Sequence, residues 1–339
     1  MVNEGRMVRL DIITVNWNSG EQLKACLESI PPACRNSFTL SRVVVVDNAS
    51  TDGSADALDD VPVPLTVIRN SENRGFAAAC NQGARGSQAE CLLFLNPDTR
   101  LLEDSLATPL AFMEKQENRN VGVVGIQLID QRGDVSRIGT AFRTPATLML
   151  EIVGLHRLLP SRFLPASMIE WDHLTTREVD HVTGAFFLVR RPLFEMLGGL
   201  DERYFVYFED VDFCADAKQA GWTTLYLAGV RAFHKGGGTG ERVKASRLFY
   251  SLRSRIHYAY KHFGWWSATA ILFTTLFVEP VVRVAYAVAR GSGENISATF
   301  GGIFRLWMGL PAIFRDIRRF GPANRERISL KAAPGCQGQ

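Results

Sequence analysis

The sequence is short of the features that would assign it at a glance. Its six cysteines (26, 34, 80, 91, 214 and 336) include no CxxC pair and no even framework of close pairs. That argues against a disulfide scaffold and for reduced core thiols in a cytosolic setting. No GxGxxG follows the first apolar run, where Asn16-Trp17-Asn18-Ser19-Gly20 stands instead, and there is no GxxxxGK[ST]. Dinucleotide binding and phosphate-loop chemistry are both weakened by these gaps. Met1 to Arg9 holds no apolar segment, so no signal peptide is expected. There is no internal repeat, and low complexity is confined to the last few residues. The apolar run opened by Trp265-Trp266 stays clean for only 14 residues, to Val278, too few to span a bilayer.

What is present is ordinary for a globular enzyme. The 339 residues are 46% hydrophobic and 22% charged, enough for one large or two modest domains. The net charge of +3 conceals an asymmetry. Residues 1–240 carry 23 Lys and Arg against 30 Asp and Glu, and residues 241–339 carry 15 against 5. An acidic body followed by a basic tail predicts an anionic surface as partner for the tail.

Apolar runs alternate with helical periodicity through the first hundred residues. Leu10 to Trp17 reads as a strand, and Asn18 with Glu21 has the spacing of a capping box opening a helix. Arg42-Val43-Val44-Val45-Val46-Asp47 is a β-branched central strand ending in an acid. Leu65 to Ile68 is a third strand, and a helix follows Asn73-Arg74-Gly75-Phe76. Cys91 to Leu95 is apolar throughout, as in a strand buried on both faces, and stops at Asn96-Pro97-Asp98. Such alternation predicts βαβ units and a doubly wound α/β sheet. In such sheets ligands sit outside the carboxyl ends of the strands, where Asp47 and Asp98 fall.

Thr14-Val15-Asn16-Trp17-Asn18, Val46-Asp47-Asn48-Ala49-Ser50-Thr51-Asp52-Gly53-Ser54, Asn73-Arg74-Gly75 and Asn96-Pro97-Asp98 resemble the motifs of the family-two glycosyltransferases, in order and at strand ends. Within that family the chain is most similar to the rhamnosyltransferase-like branch, whose metal motif often reads Asn-Pro-Asp. The resemblance covers residues 8–240. It implies a GT-A fold, a doubly wound mixed sheet whose residues 8–100 form a nucleotide-sugar half and residues 101–240 an acceptor half. It also implies a nucleotide-sugar donor (dTDP- or UDP-linked), Mg²⁺ or Mn²⁺, and inversion at the anomeric carbon. On the same resemblance Asp47 binds the nucleobase and Asp98 coordinates the metal. Thr14, Asn16, Asn73, Arg74, Gly75 and Asn96 lie along the donor. The chemistry is sound independently, because a carboxylate accepts from a pyrimidine imide and a hard cation offsets a diphosphate. Asn96 departs from the usual Asp-x-Asp and supplies an oxygen without charge.

The acceptor half has weaker punctuation. Val121 to Gly125 and Gln127 to Ile129 read as strand, Thr144 to Thr176 as a mobile insertion, and Val179 to Arg191 as strand again. Gly184 within it suggests close backbone approach to a ligand, so it joins the donor-binding set. Glu209, Asp210 and Asp212 open a helix after the aromatic run Tyr204 to Phe208. Acids in a first turn gain from the helix dipole, but a carboxylate beside apolar walls also has its pKa raised, as a general base needs. The resemblance assigns the base to Asp210, with Glu209 as the alternative, and makes His234 a metal ligand alongside Asp98. Gly236-Gly237-Gly238 beyond it reads as a loop that orders on donor binding.

Residues 241–320 predict basic apolar helices; the whole of 265–289 could span a bilayer if Glu279 and Arg283 paired at i, i+4, and a second apolar stretch runs from Ile296 to Phe314. Paired Trp, apolar stripes and arginines resemble interfacial helices on an anionic leaflet. A helical subdomain packed on the catalytic domain is the simpler alternative, and nucleic acid fits poorly. Residues 321–339 read as a flexible tail. The expected activity is transfer of a sugar, plausibly L-rhamnose, to a lipid-linked or cell-surface glycan at the cytoplasmic face of the membrane. Metal-dependent nucleotidyl transfer, or a membrane-recruited binding module without turnover, are the competing readings.

Overall fold

The computed structural model describes residues 7–34, 37–56, 58, 60–136, 139–155, 168, 171–236 and 243–319. The elements β1 (Arg9–Asn16), α1 (Glu21–Glu28), α2 (Ile30–Ala33), β2 (Thr39–Asp47), β3 (Leu65–Arg69), α3 (Phe76–Ala84) and β4 (Cys91–Leu95) form the first half. There follow β5 (Thr99–Leu101), α4 (Ala107–Glu114), β6 (Val121–Ile129), β7 (Val135–Ser136), β8 (Gly139–Thr140) and α5 (Pro145–Ile152). Then come β9 (Arg177–Val179), β10 (His181–Val182), β11 (Phe186–Arg190), α6 (Arg191–Leu197), α7 (Glu209–Gln219) and β12 (Thr223–His234). Four helices close the described chain: α8 (Lys244–His262), α9 (Trp265–Phe273), α10 (Glu279–Ala289) and α11 (Gly293–Arg319).

The main sheet runs β3-β2-β1-β4-β11-β6-β12-β5, with β7 and β9 on its flanks. The first four strands are parallel, and β11 enters antiparallel between β4 and β6. The chain winds outward from β1 to β3 and then returns to the other side of β1 as β4. The crevice at that reversal is where the topology puts a ligand. Register brings the strand ends level there, with Asn16 opposite Asp47. β4 is buried along its whole length and the four valines of β2 are buried too. Each such side chain contributes about 1.5–3 kcal/mol by leaving water, so the strands cannot slip without exposing a core face.

Several sequence expectations need correction. Asn18 does not cap α1: Gly20 holds the N-cap position without a side-chain bond. Asn18 adopts φ 52°, and its Oδ1 accepts from the Thr51 backbone at 2.7 Å, tying two loops together. β6, by contrast, is the single strand expected, Val121–Ile129. The stretch from Val179 to Arg191 is three short strands, broken around Asp180 and before Phe186. Part of the segment expected to be mobile is ordered: Thr144 caps α5 through a reciprocal bond with Thr147. His173 stacks on Trp171, and both Gln127 and Tyr226 donate to its carbonyl. The rest of that segment, much of the triple glycine and residues 321–339 lie outside the described residues.

The terminal helices pack as a unit and dock on the sheet domain. Leu252 and Ile256 of α8 meet Leu272, Leu276, Ile303, Leu306, Ile313 and Ile317 in one buried cluster. Leu148 and Ile152 of α5 pack with Ala268 and Ile271 of α9. The second anchor is ionic. Lys261 donates to Asp212 at 2.6 Å and to Asp216 at 2.8 Å, and His262 bonds Asp212 at 2.6 Å. Glu279 pairs with Arg283 as the spacing predicts, and also with Arg255 of α8. The five cysteines within the described residues are free thiols.

Candidate active site

A cleft of about 630 Å³ opens at the reversal point. The strand ends supply Asn48, Asn96 and Asp98, β12 supplies His234, and Phe205, Val206 and Tyr207 form the facing wall. α8 adds Ser246, Arg247 and Tyr250.

At the floor, Asp98 Oδ1 and His234 Nε2 lie 3.2 Å apart, with side chains only 13% and 18% exposed. β12 delivers His234 because it runs antiparallel to β5, pairing His234 with Thr99; the Lys235 amide donates to the Asp98 carbonyl at 3.1 Å. A carboxylate oxygen and an imidazole nitrogen at that separation can share one hard cation, and the Asn96 side chain on the same wall can offer a neutral oxygen. Mg²⁺ and Mn²⁺ commonly take one or two protein ligands and complete their shell from substrate phosphates, so the donor set fits. The clustered trio Asp212, Asp216 and His262 is a different matter. Lys261 already sits among those carboxylates, so that cluster is a filled ion-pair network.

The motif around Asp47 is a hydrogen-bond lattice. Asn16, fully buried, donates from Nδ2 to Asp47 Oδ1 at 2.8 Å and to Ser54 Oγ at 2.9 Å. Ser19 donates to Asn16 Oδ1. Asp47 is itself buried, and the neighbouring Asn48 is the residue that lines the cleft. Asn48 donates to Asn73 Oδ1 at 2.9 Å and accepts from the Arg74 amide at 3.1 Å. The sequence motif contains Asn48 but gives it no role of its own. Its signal is an amide directly after a strand-end acid, able to donate and accept at once. Thr14 is buried inside β1, its hydroxyl has no partner among the described residues, and it is not among those lining the cleft. Arg74 is exposed. Gly75 has φ 88°, and a Cβ there would stand 2.6 Å from the Phe205 carbonyl. That carbonyl accepts from the Phe76 amide at 2.6 Å, so the first half and the aromatic wall are sewn together at the glycine.

Tyr207 and Phe208 both hold positive φ, 69° and 71°. Such strain costs about 1–3 kcal/mol per residue and persists where surroundings enforce it. It turns the chain sharply into α7 and sends the adjacent acids to different places. Glu209 is 6% exposed, and its Oε2 has no partner among the described residues. Burial, reinforced by neighbouring Asp210, pushes its carboxyl well above the usual range. Asp210 is half-buried; it accepts from the Gly184 amide at 2.9 Å and from Val211 N–H at 2.8 Å. Gly184 therefore contributes its N–H. A Cβ there would meet Phe76 and Asp210 only at ordinary contact distances of 3.7 and 3.8 Å. His181, whose pKa burial lowers against the pull of Asp210, is an uncharged neighbour of that acid. Asp210 and Phe76, a cleft-lining ring, thus both border Gly184, while Asp210 itself is not among the described residues lining the cleft.

The site brings together Asn73, Asn96, Asp98 and His234 on the cleft, with Asn16, Asp47 and Gly75 behind them and Asp210 beyond Phe76. The contribution of α8 was unreadable in sequence, because a polar stripe on a helix looks the same facing a cleft or facing water.

The family model for Glycosyl transferase family 2 matches residues 11–198. The chain is similar to the N-acetylglucosaminyl-diphospho-decaprenol L-rhamnosyltransferase of Mycobacterium tuberculosis (strain ATCC 25618 / H37Rv). The two are 28% identical over 277 residues, covering 76% of this chain and 87% of the relative. It is also similar to rhamnosyltransferase WbbL of Escherichia coli (strain K12), 27% identical over 150 residues, or 44% of this chain and 54% of that one. Among solved structures, GalNAc-T7 with UDP, GalNAc and Mn²⁺ aligns with a TM-score of 0.54 at 17% identity, covering 76% of this chain and 48% of that one. At that identity the likeness concerns the fold.

Proposed function

This chain belongs to glycosyl transferase family 2, is rhamnosyltransferase-like and has the GT-A fold, and on that basis we propose that it is an inverting enzyme moving L-rhamnose from a nucleotide diphosphate to a lipid-linked or surface glycan. The observation that carries the reading is the pairing of Asp98 with His234 at 3.2 Å on the floor of a cleft at the sheet's reversal point. Asn73 and Asn48 line the donor end, with Asp47 and Asn16 holding the loops behind them. Asp210, oriented by the Gly184 amide, takes the proton from the acceptor hydroxyl as its oxygen bonds to the anomeric carbon. The bond from that carbon to the diphosphate breaks on the opposite face, and configuration inverts in one displacement.

Asp98 and His234 would hold Mg²⁺ or Mn²⁺, with Asn96 beside them. Bound there, the ion would supply Lewis-acid neutralisation of the departing diphosphate. A dTDP- or UDP-linked donor would meet Asn48 at the base's end of the cleft, with Asp47 held behind it. The M. tuberculosis relative's name, with its diphospho-decaprenol acceptor, supports a lipid-linked acceptor here.

The same reading puts the enzyme on the cytoplasmic face of the membrane as a peripheral or monotopic protein. Trp266 is 84% exposed, and Phe273, Val281, Phe304 and Met308 also face outward. Phe277 of the α9–α10 segment meets Trp307 of α11 at 5.4 Å, so the exposed apolar faces are continuous. Residues 265–289 and α11 are each long and apolar enough to cross a bilayer, but Glu279, midway along the first, is clamped to Arg255 of α8. That ties the helix to α8, which lines the cleft, and favours lying on the leaflet over crossing it.

Nucleoside diphosphate release from a panel of dTDP-, UDP- and GDP-sugars, with and without Mn²⁺ and with a polyprenyl-diphosphate-linked sugar as acceptor, tests the proposal. Consumption of dTDP-L-rhamnose is expected. Failure to turn over any donor would overturn it, and tight binding without turnover would leave a binding module in its place.

A further inference from the structure

Among the described residues lining the cleft, Arg247 alone carries a fixed positive charge. It comes from α8, past the end of the family-matched region at residue 198. Its neighbours on that helix have acidic partners: Arg253 pairs with Asp316 and Arg255 with Glu279. The partner of Arg247 is instead the phenol of Tyr207, a residue of the strained loop on the cleft wall. Burial raises the Tyr207 pKa and the guanidinium opposes that rise, so the hydroxyl stays a neutral orienting group.

The helix presents this side chain because of how it is fixed. Val243, Ser246, Arg247, Tyr250 and Ser254 recur at three- and four-residue spacing and so share one stripe of α8. Ser254 Oγ donates to the Val206 carbonyl at 2.8 Å, and Tyr250 stacks on Phe205 at 4.2 Å and 11°. The opposite stripe, Leu248, Leu252 and Ile256, is held in the core of the terminal helices. The guanidinium therefore stands on a rigid element at the mouth of a cleft whose floor is Asp98 and His234.

From this geometry we infer that Arg247 is a binding residue for the donor's diphosphate, with Tyr207 setting the angle of its guanidinium. The inference rests on the donor-site reading above. A diphosphate keeps negative charge even with one divalent cation beside Asp98, and a planar guanidinium meets two phosphate oxygens in parallel. As the bond to the anomeric carbon breaks, its electron pair moves onto the diphosphate, so the attraction grows as the reaction proceeds. The terminal helices then serve as more than an anchor, since one of them completes the donor site.

Calorimetry in Mn²⁺ at fixed ionic strength, with UDP, dTDP and GDP and the matching monophosphates, tests this on wild type, R247A, R247K and Y207F. R247A should weaken the best-bound diphosphate by about tenfold or more and its monophosphate by less than about threefold. R247K should recover part of the loss, and Y207F should fall between wild type and R247A. Equal losses for the diphosphate and monophosphate, or no loss in a variant with an unchanged melting temperature, would overturn the assignment. A wild-type protein that binds none of the three diphosphates would overturn the donor-site reading itself.

Discussion

Side by side on the first turn of α7, Glu209 and Asp210 face opposite circumstances. Asp210 accepts two backbone N–H bonds, whereas Glu209 is buried with an unpartnered oxygen. A carboxyl whose folded pKa lies above its unfolded value, about 4.3, favours the folded state fully below that value. This contribution is lost as pH rises toward the folded pKa. E209Q should therefore flatten the fall in melting temperature between pH 5 and pH 8, measured by calorimetry, while the wild type shows the steeper fall. At the cleft, G75A should raise the donor KM several-fold, and urea unfolding should read a loss of about 2 kcal/mol, because its Cβ meets the Phe205 carbonyl in a positive-φ turn. D98N should lower Mn²⁺-supported turnover by about a hundredfold or more and shift the Mn²⁺ titration to higher concentration. At this scale the sequence marked Asp98, His234 and Asp210 as candidates because each stands at the edge of an element with a visible pattern, and the structure brings the first two together. The sequence hid Asn48, whose role is to bond four partners that only the folded turn assembles.

The parallel strands and their helices were legible because burial on both faces leaves uninterrupted apolar runs such as Cys91 to Leu95. The stretch from Val179 to Arg191 was not, since its breaks answer to pairing partners: β10 joins β8, and β11 joins β4 and β6. The same holds for α5, whose Thr144–Thr147 cap lacks the usual acid. The helix α8 was legible as basic and apolar, but not which way it faces: it packs one stripe against α11 and turns the other to the cleft. Its C-terminal end is held by Lys261 among Asp201, Asp212 and Asp216. Burial lowers the pKa of Lys261, but those carboxylates outweigh it and the value rises. K261M would remove the cation those three acids share, leaving Asp212 with His262 and Asp201 with Arg203, and urea unfolding should read a loss of about 3–5 kcal/mol. His257 on the same helix has its pKa pushed down to about 3, chiefly by burial and then by Arg253. Its contribution to stability is present above the unfolded value of about 6.5 and is lost as pH falls toward 3.

Across the whole molecule, the acidic body and basic tail of the sequence become a sheet domain and a helical platform whose outer face is aromatic. Flotation with phosphatidylglycerol vesicles should recover the wild type. F273E combined with F277E should lower the recovered fraction about tenfold without changing nucleotide affinity, since neither residue lines the cleft. The placing of α10 against α8 within that platform comes from the Arg255–Glu279 clamp, a pairing between residues 24 apart that no hydropathy pattern encodes.

The proton's destination is the claim on which the cleft's chemistry turns. Nucleoside diphosphate release by D210N, measured beside calorimetric donor affinity on the same samples, addresses it. D210N should bind the donor's nucleoside diphosphate as wild type does and turn over at least about a hundredfold more slowly. A D210N enzyme as fast as the wild type would contradict the assignment of the base, and with it the reading of this cleft as a site of sugar transfer.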